Sequence, residues 1–224
     1  MSSSPPSSPR PLIVFDCDGV LVDSERLLQG IDIDMITALG WPITVAEIHE
    51  QHLGRTAADF AANVERHIGR PVPDGFLRQR SDRFLAALED ELEPVPGVIA
   101  VLDRLDRLGY VSCVASSGSH EKMRSTLGRT GLYQRFEGRI FSAADVSHGK
   151  PAPELFLHAA AQSGFAAEQC IVVEDSPAGV EAARRAGMHS IGYAADTPRT
   201  LLRAADIVID VMTELPRAIA TLHP

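Results

Sequence analysis

The ten residues from Asp16 to Glu25, DCDGVLVDSE, constrain this chain more than any other feature. They begin at the end of an apolar run, Leu12-Ile13-Val14-Phe15. Four bulky apolar residues in a row read as a buried parallel strand. Side chains alternate along a strand, so Asp16 and Asp18 can share one side of its carboxyl end. Cys17, between them, should then face the core. Two carboxylates held side by side repel unless a cation lies between them or one is protonated. The pair implies a hard divalent metal, an acid/base couple, or both.

The rest of the chain places that strand in a sheet. Five further strand candidates follow: Tyr110–Ser116, Arg139–Ser142, Cys170–Asp175, Ser190–Tyr193 and Ile207–Asp210. Helical spacing lies between them. Val98, Val101, Leu102, Leu105 and Leu108 form one face, and Gly109 is placed to end that helix. Leu155, Phe156, Ala159 and Ala160 do the same before Gly164, and Ala182, Ala183 and Ala186 before Gly187. Alternation from about residue 94 onward predicts an α/β fold, a Rossmann-like parallel sheet with helices on both faces. The interval 24–93 is helical throughout, with Ile31, Met35 and Leu39, then Phe60, Val64 and Ile68, then Phe76, Phe84 and Leu88 in helical register. Pro94 and Pro96-Gly97 mark the return to the sheet. The expected organisation is a tail over 1–11, a core over 12–23 and 94–224, and an inserted all-helical cap over 24–93. Ligands of open α/β sheets bind outside the carboxyl ends of the strands. An insertion directly after the first strand would lie over such a site as a lid.

Composition narrows the partners. A net charge of -9 argues against nucleic acid and anionic membranes. No apolar run approaches the ~20 residues that span a bilayer. The Ser/Pro-rich start, MSSSPPSSPRP, lacks the apolar stretch of a signal peptide and reads as a disordered tail. Cys17, Cys113 and Cys170 fall in or beside strand-like runs, as free core thiols of a reducing cytoplasm do. The histidines show no HxH or HExxH spacing, which argues against zinc. The chain carries 19 arginines and two lysines, Lys122 and Lys150. A sequence that uses arginine almost everywhere keeps lysine where a compact ammonium is needed.

Four segments end at the same edge of the expected sheet: Asp16-Cys17-Asp18-Gly19, Ser116-Ser117-Gly118-Ser119, Gly149-Lys150-Pro151, and Glu174-Asp175-Ser176-Pro177. Each alone is ordinary, since strand-ending acids usually cap turns and Ser-Ser-Gly is usually a loop. Together they supply two acidic clusters, a hydroxyl and amide cradle that favours an anion, and one ammonium. That set suits phosphoryl transfer: acids for Mg²⁺, a cradle and a lysine for phosphate oxygens. One aspartate can act as nucleophile and its neighbour as acid and base. Asp23 and Ser24 are placed to cap the first inserted helix.

In order and spacing, DxDGVLVDSE, the serine after the second strand, the lysine of GKPAPELF and the Glu-Asp of VVEDSPAG resemble the four motifs of the haloacid dehalogenase superfamily. The resemblance runs from about Leu12 to near the end. The helical insertion looks like the cap of its phosphatase and β-phosphoglucomutase-like branch. By that resemblance Asp16 would be the nucleophile that becomes phosphorylated. Asp18 would protonate the leaving group, activate water, and ligate Mg²⁺ through its main-chain carbonyl. Ser116 and Lys150 would bind the phosphoryl group, and Asp175 would ligate Mg²⁺ with Glu174 as a further ligand or supporting partner. Ser117, Gly118, Glu25 and Arg55 would contact substrate.

Departures from relatives narrow the chemistry. Founding dehalogenases lack an acid where Asp18 stands. Phosphonoacetaldehyde hydrolases need a cap lysine, and no lysine precedes Lys122. β-Phosphoglucomutases carry a histidine, a lysine and an arginine in positions occupied here by Leu28, Leu53 and Ala57, with Arg55 nearby. The interval 24–93 has seven Arg and no Lys against 13 acids, a poor grip for a second phosphate. The expectation is a Mg²⁺-dependent phosphatase, cytoplasmic and monomeric, acting on a small phosphorylated metabolite. A phosphomutase of the same fold is the alternative. A non-catalytic binding domain is a third reading, opposed by the intact set Asp16, Asp18, Lys150 and Asp175.

Overall fold

The computed structural model describes residues 10–52 and 57–223. Six strands form a parallel sheet in the order β3-β2-β1-β4-β5-β6. They are β1 (Leu12–Phe15), β2 (Val111–Ser116), β3 (Ile140–Ser142), β4 (Cys170–Glu174), β5 (His189–Tyr193) and β6 (Ile207–Ile209). Every strand foreseen from the sequence is present, with its ends moved by one residue or so. The first strand lies at the centre. Chain order runs outward from it in both directions, so β1 marks the point where the connections reverse. Such a point opens a crevice at the strands' carboxyl ends.

Alternation along β1 builds two cores. Ile13 and Phe15 face one side with Val114, Ile171, Val173 and Ile191, under α5 (Val98–Arg107), α6 (His120–Arg129), the short α7 (Tyr133–Phe136) and α10 (Leu215–Leu222). Leu12 and Val14 face the other with Cys113, Ala115, Cys170 and Val172, under α8 (Glu154–Gln162) and α9 (Pro177–Arg185). All four β1 residues are fully buried, which is why the strand has no polar face to show in its sequence. The three cysteines are buried and free, and Cys17 turns inward as its position between two aspartates required.

Between β1 and α5 come four helices: α1 (Ser24–Ala38), α2 (Val45–His52), α3 (Ala57–Ile68) and α4 (Phe76–Asp90). They have their own core of Ile31, Met35, Ile36, Phe60, Val64 and Phe76. Two antiparallel chain crossings join them to the sheet. The Asp23 N–H donates to the Glu93 carbonyl (2.9 Å), and the Val95 N–H donates to that of Leu21 (3.0 Å).

A buried ion pair ties α1 to α4, beside a more exposed one between Arg83 and Asp34 (3.3 Å). Arg80 reaches Asp32 with two donors, Nε to Oδ1 at 2.5 Å and a terminal nitrogen to Oδ2 at 2.8 Å. Its guanidinium lies 4.5 Å from the Phe60 ring centre. Asp32 is buried, and that burial raises its pKa despite the arginine. Replacing Arg80 by Ala strands this acid. The expected cost is about 3 kcal/mol, read as a fall in Tm of roughly 10 °C at a few degrees per kcal/mol.

Candidate active site

The parallel register sets the site. Phe15 aligns with Val114 on one side and Val173 on the other, so Asp16 and Glu174 emerge from adjacent strands at one level and Ser116 follows one residue beyond it on the third. The Asp16 N–H continues the ladder to the Val173 carbonyl (3.0 Å), which fixes the start of its side chain. A cavity of about 310 Å³ opens there. Asp16, Asp18, Glu25, Ser116, Ser117 and Lys150 line it from one side, Glu174, Asp175, Asp196 and Thr197 from the other.

Lys150 holds the floor. Its ammonium donates to Asp16 Oδ1 (2.5 Å), Glu174 Oε1 (2.6 Å) and the Ala115 carbonyl (3.0 Å). An ammonium has three donors and no acceptor, so this one is fully used. Burial opposes its charge, yet Asp16 and Glu174 outweigh that and its pKa rises. Asp16, 7% exposed, is pushed up to about 7. Burial is the largest cause, Lys150 opposes it, and Glu174 and Asp18 add to it.

Glu174 is 1% exposed and has both oxygens taken. Besides Lys150, Oε2 accepts from the Ser176 N–H and hydroxyl, both at 2.8 Å. Gly179 makes room for it, since a Cβ there would overlap the Glu174 carboxylate. Asp175 is different. No hydrogen bond or ion pair reaches its carboxylate among the described residues, and burial with Glu174, Asp16 and Glu25 nearby pushes it well above the carboxylate range. It lies against Gly19, where φ is +74° and a side chain would strike Asp175. Glycine there serves both the left-handed turn and the close approach.

No three His, Cys, Asp or Glu side chains among the described residues form a metal cage. Two carboxylates do line the cavity with oxygens to spare: Asp16 is bonded at Oδ1 to Lys150, and Asp175 has no partner among the described residues. Mg²⁺ is commonly held by one or two carboxylates and keeps several waters, so this all-oxygen pair fits it.

The phosphate cradle is only partly as expected. Ser116 and Ser117 line the cavity. The Gly118 N–H instead turns back to Ser116 Oγ (3.1 Å), and its carbonyl accepts from the Ser142 hydroxyl (2.7 Å). Gly118 therefore shapes the turn without lining the cavity. Arg55 lies outside the described residues, as does the tail over 1–9.

A family model described as haloacid dehalogenase-like hydrolase matches residues 11–187. The chain belongs to this family. 6-Phosphogluconate phosphatase of Escherichia coli (strain K12) is 30% identical over 185 residues, 82% of either chain. A conserved haloacid dehalogenase-like protein of unknown function, ATU0790 from Agrobacterium tumefaciens str. C58, superposes with a TM-score of 0.86. It is 36% identical, covering 96% of this chain and 100% of that one. A HAD family hydrolase from Deinococcus radiodurans R1, solved with bound phosphate and sodium, also gives 0.86, at 27% identity over 96% and 97% of the two chains. The chain is a phosphatase of the haloacid dehalogenase-like hydrolases.

This haloacid dehalogenase-like hydrolase has site residues that its sequence did not announce. Lys122 Nζ donates to Asp18 Oδ2 (2.8 Å), so each lysine of the chain holds one of the paired aspartates. The scarcity argument that singled out Lys150 applied equally to Lys122. Ser24 donates to Asp18 Oδ1 (2.9 Å) rather than capping α1. Asp23 does not cap it either and pairs with Arg26 (2.8 Å). Its φ of -86° and ψ of 55° lie outside the extended conformation that turns a capping side chain back onto the helix. Asp196 and Thr197 line the cavity from the loop after β5. Glu25, which the sequence did single out, lines it too, its pKa raised by burial and by Asp18, with Lys122 opposing.

Proposed function

We propose that this phosphatase hydrolyses a small phosphomonoester of the sugar-phosphate type, with Mg²⁺ bound, through an aspartyl phosphate on Asp16. The observation that carries the reading is the contrast between the two cavity carboxylates. Asp16 is held by an ammonium at the floor, and Asp175 lines the same cavity without a partner among the described residues. Asp16, Asp175 and the Asp18 carbonyl would hold the metal, which supplies neutralisation of phosphate charge.

The residues divide the chemistry as follows. An Asp16 oxygen attacks phosphorus and the ester P–O bond breaks. Asp18 gives its proton to the departing alcohol oxygen. It then takes a proton from water, whose oxygen attacks phosphorus and releases inorganic phosphate and Asp16. Ser116 and Lys150 bind and orient the phosphoryl group, with Ser117 beside them. Glu174 keeps Lys150 charged and in place. Glu25 and Arg55 would contact the rest of the substrate, and the helices over 24–93 act as the cap that excludes water.

The substrate class is supported by the 6-phosphogluconate phosphatase relative and by a cavity lined with hydroxyl and carboxylate groups suited to polyol oxygens. Hydrolysis is favoured over mutase chemistry by the acidic insertion, which suits a second phosphate poorly. A panel of sugar phosphates with Mg²⁺ tests the reading. Phosphate release is expected, abolished by EDTA and restored by Mg²⁺. Replacing Asp175 by Asn raises the Mg²⁺ needed for half-maximal rate by about tenfold or more. Isomerisation dependent on a bisphosphate activator would replace hydrolysis with the mutase reading. No turnover even of p-nitrophenyl phosphate would overturn both.

A further inference from the structure

Asp18 is gripped at both oxygens by chemically different donors. Lys122 takes Oδ2 at 2.8 Å and the Ser24 hydroxyl takes Oδ1 at 2.9 Å. An ammonium can donate but never accept, whereas a hydroxyl does either. A proton on the Oδ2 lone pair that meets the ammonium would find no acceptor. A proton on Oδ1 can be received by Ser24 Oγ through rotation of the hydroxyl. The two oxygens are therefore not equivalent.

Lys122 is built into this place. Its N–H is held by Ser119 Oγ at the start of α6 (3.2 Å), and its carbonyl accepts from Thr126 Oγ1 (3.1 Å). Its stem passes over Gly118, where a Cβ would come within 3.5 Å of Lys122 Cδ. It does not line the cavity that Asp16, Ser116 and Lys150 share. Burial is the largest influence on its ammonium and opposes the charge, but Asp18, joined by Cys17 and Asp16, outweighs it and the pKa rises.

We propose that Lys122 is a positioning residue for Asp18: it claims Oδ2 and leaves Oδ1 as the oxygen that carries the transferable proton. This rests on the reading of Asp18 as the group that protonates the leaving alcohol. Without Lys122 the carboxylate can rotate and carry its proton on either oxygen.

The test replaces Lys122 by Met and compares kcat/KM for two esters that the wild type hydrolyses. One is a sugar phosphate, whose alkoxide must be protonated to leave. The other is p-nitrophenyl phosphate, whose phenolate leaves without a proton. kcat/KM ends at the first irreversible step, phosphorylation of Asp16, so later water attack does not blur it. A positioned general acid contributes about 10²–10⁴-fold. Loss of its alignment should cost the sugar phosphate about 10–100-fold and p-nitrophenyl phosphate less than about threefold. The inhibition constant of inorganic phosphate should stay unchanged. In an Asp18→Asn background, adding Lys122→Met should change kcat/KM by less than about twofold, because the lysine acts through the aspartate.

Equal losses for both esters would overturn the proposal. So would a weaker hold on inorganic phosphate, which would make Lys122 a phosphate ligand, or a further tenfold loss in the Asp18→Asn background. A wild-type protein that hydrolyses neither ester fails the phosphatase reading itself, an outcome separate from any of these.

Discussion

Asn in place of Asp16 stops turnover and leaves the fold standing. The substitution keeps the shape of the side chain and one oxygen able to accept from Lys150, whose ammonium also retains Glu174 and the Ala115 carbonyl. What disappears is the anionic oxygen that attacks phosphorus. Loss of a covalent nucleophile costs on the order of 10⁵-fold or more in kcat. Stability should move little. Asp16 is pushed up to about 7 by burial and by two like charges, so its ionised form is a strained neighbour of Glu174 and Asp18 rather than a support for the sheet. Circular dichroism and Tm check the fold, and phosphate release checks the chemistry. Mass spectrometry of quenched turnover should show a phosphorylated wild type and an unmodified variant. A variant that still turns over at more than a trace of the wild-type rate removes Asp16 from the nucleophile's role.

Much of this site was legible because its groups sit at strand ends. Short runs of continuously buried residues mark β1, β2 and β4, and in a parallel sheet neighbouring strands end at a common edge. That brings Asp16, Ser116 and Glu174 together from three distant parts of the chain. Lys150 was legible through its rarity. The same signal covered Lys122, but no strand end carries that residue. Its place depends on the first turn of α6 folding back over Gly118, and on β2 lying beside β1. Neither is written in local spacing. Asp196 and Thr197 were missed because the loop after β5 has no distinctive residues, although β5 ends at the same edge. Ser24 shows how a local rule yields to a stronger partner. A serine before a helical run ordinarily serves the helix N-terminus, but here the Asp18 carboxylate lies within 2.9 Å and takes its hydroxyl instead.

Lys150 is the other position where one substitution has a large effect, and it acts on stability and rate together. Met fills nearly the same volume but brings no charge. It leaves Asp16 and Glu174 facing each other, buried, with the Ala115 carbonyl unpaired as well. Breaking a buried ion cluster from the cationic side costs about 3–5 kcal/mol, roughly 10 °C in Tm for a chain of this size. Protonation of one acid limits the loss, but a protonated Asp16 is no nucleophile, so relief of strain and loss of rate come together. Turnover should fall by about 10³-fold, the scale of one preorganised donor lost at the reacting group. Arg does not rescue it. The three acceptors surround a single nitrogen, which suits a compact ammonium and not a planar fork. Thermal unfolding and p-nitrophenyl phosphate hydrolysis of the Met and Arg variants decide the point. Full activity in Lys150→Arg would show that charge alone matters, and the fit of one nitrogen to three oxygens would lose its explanatory role.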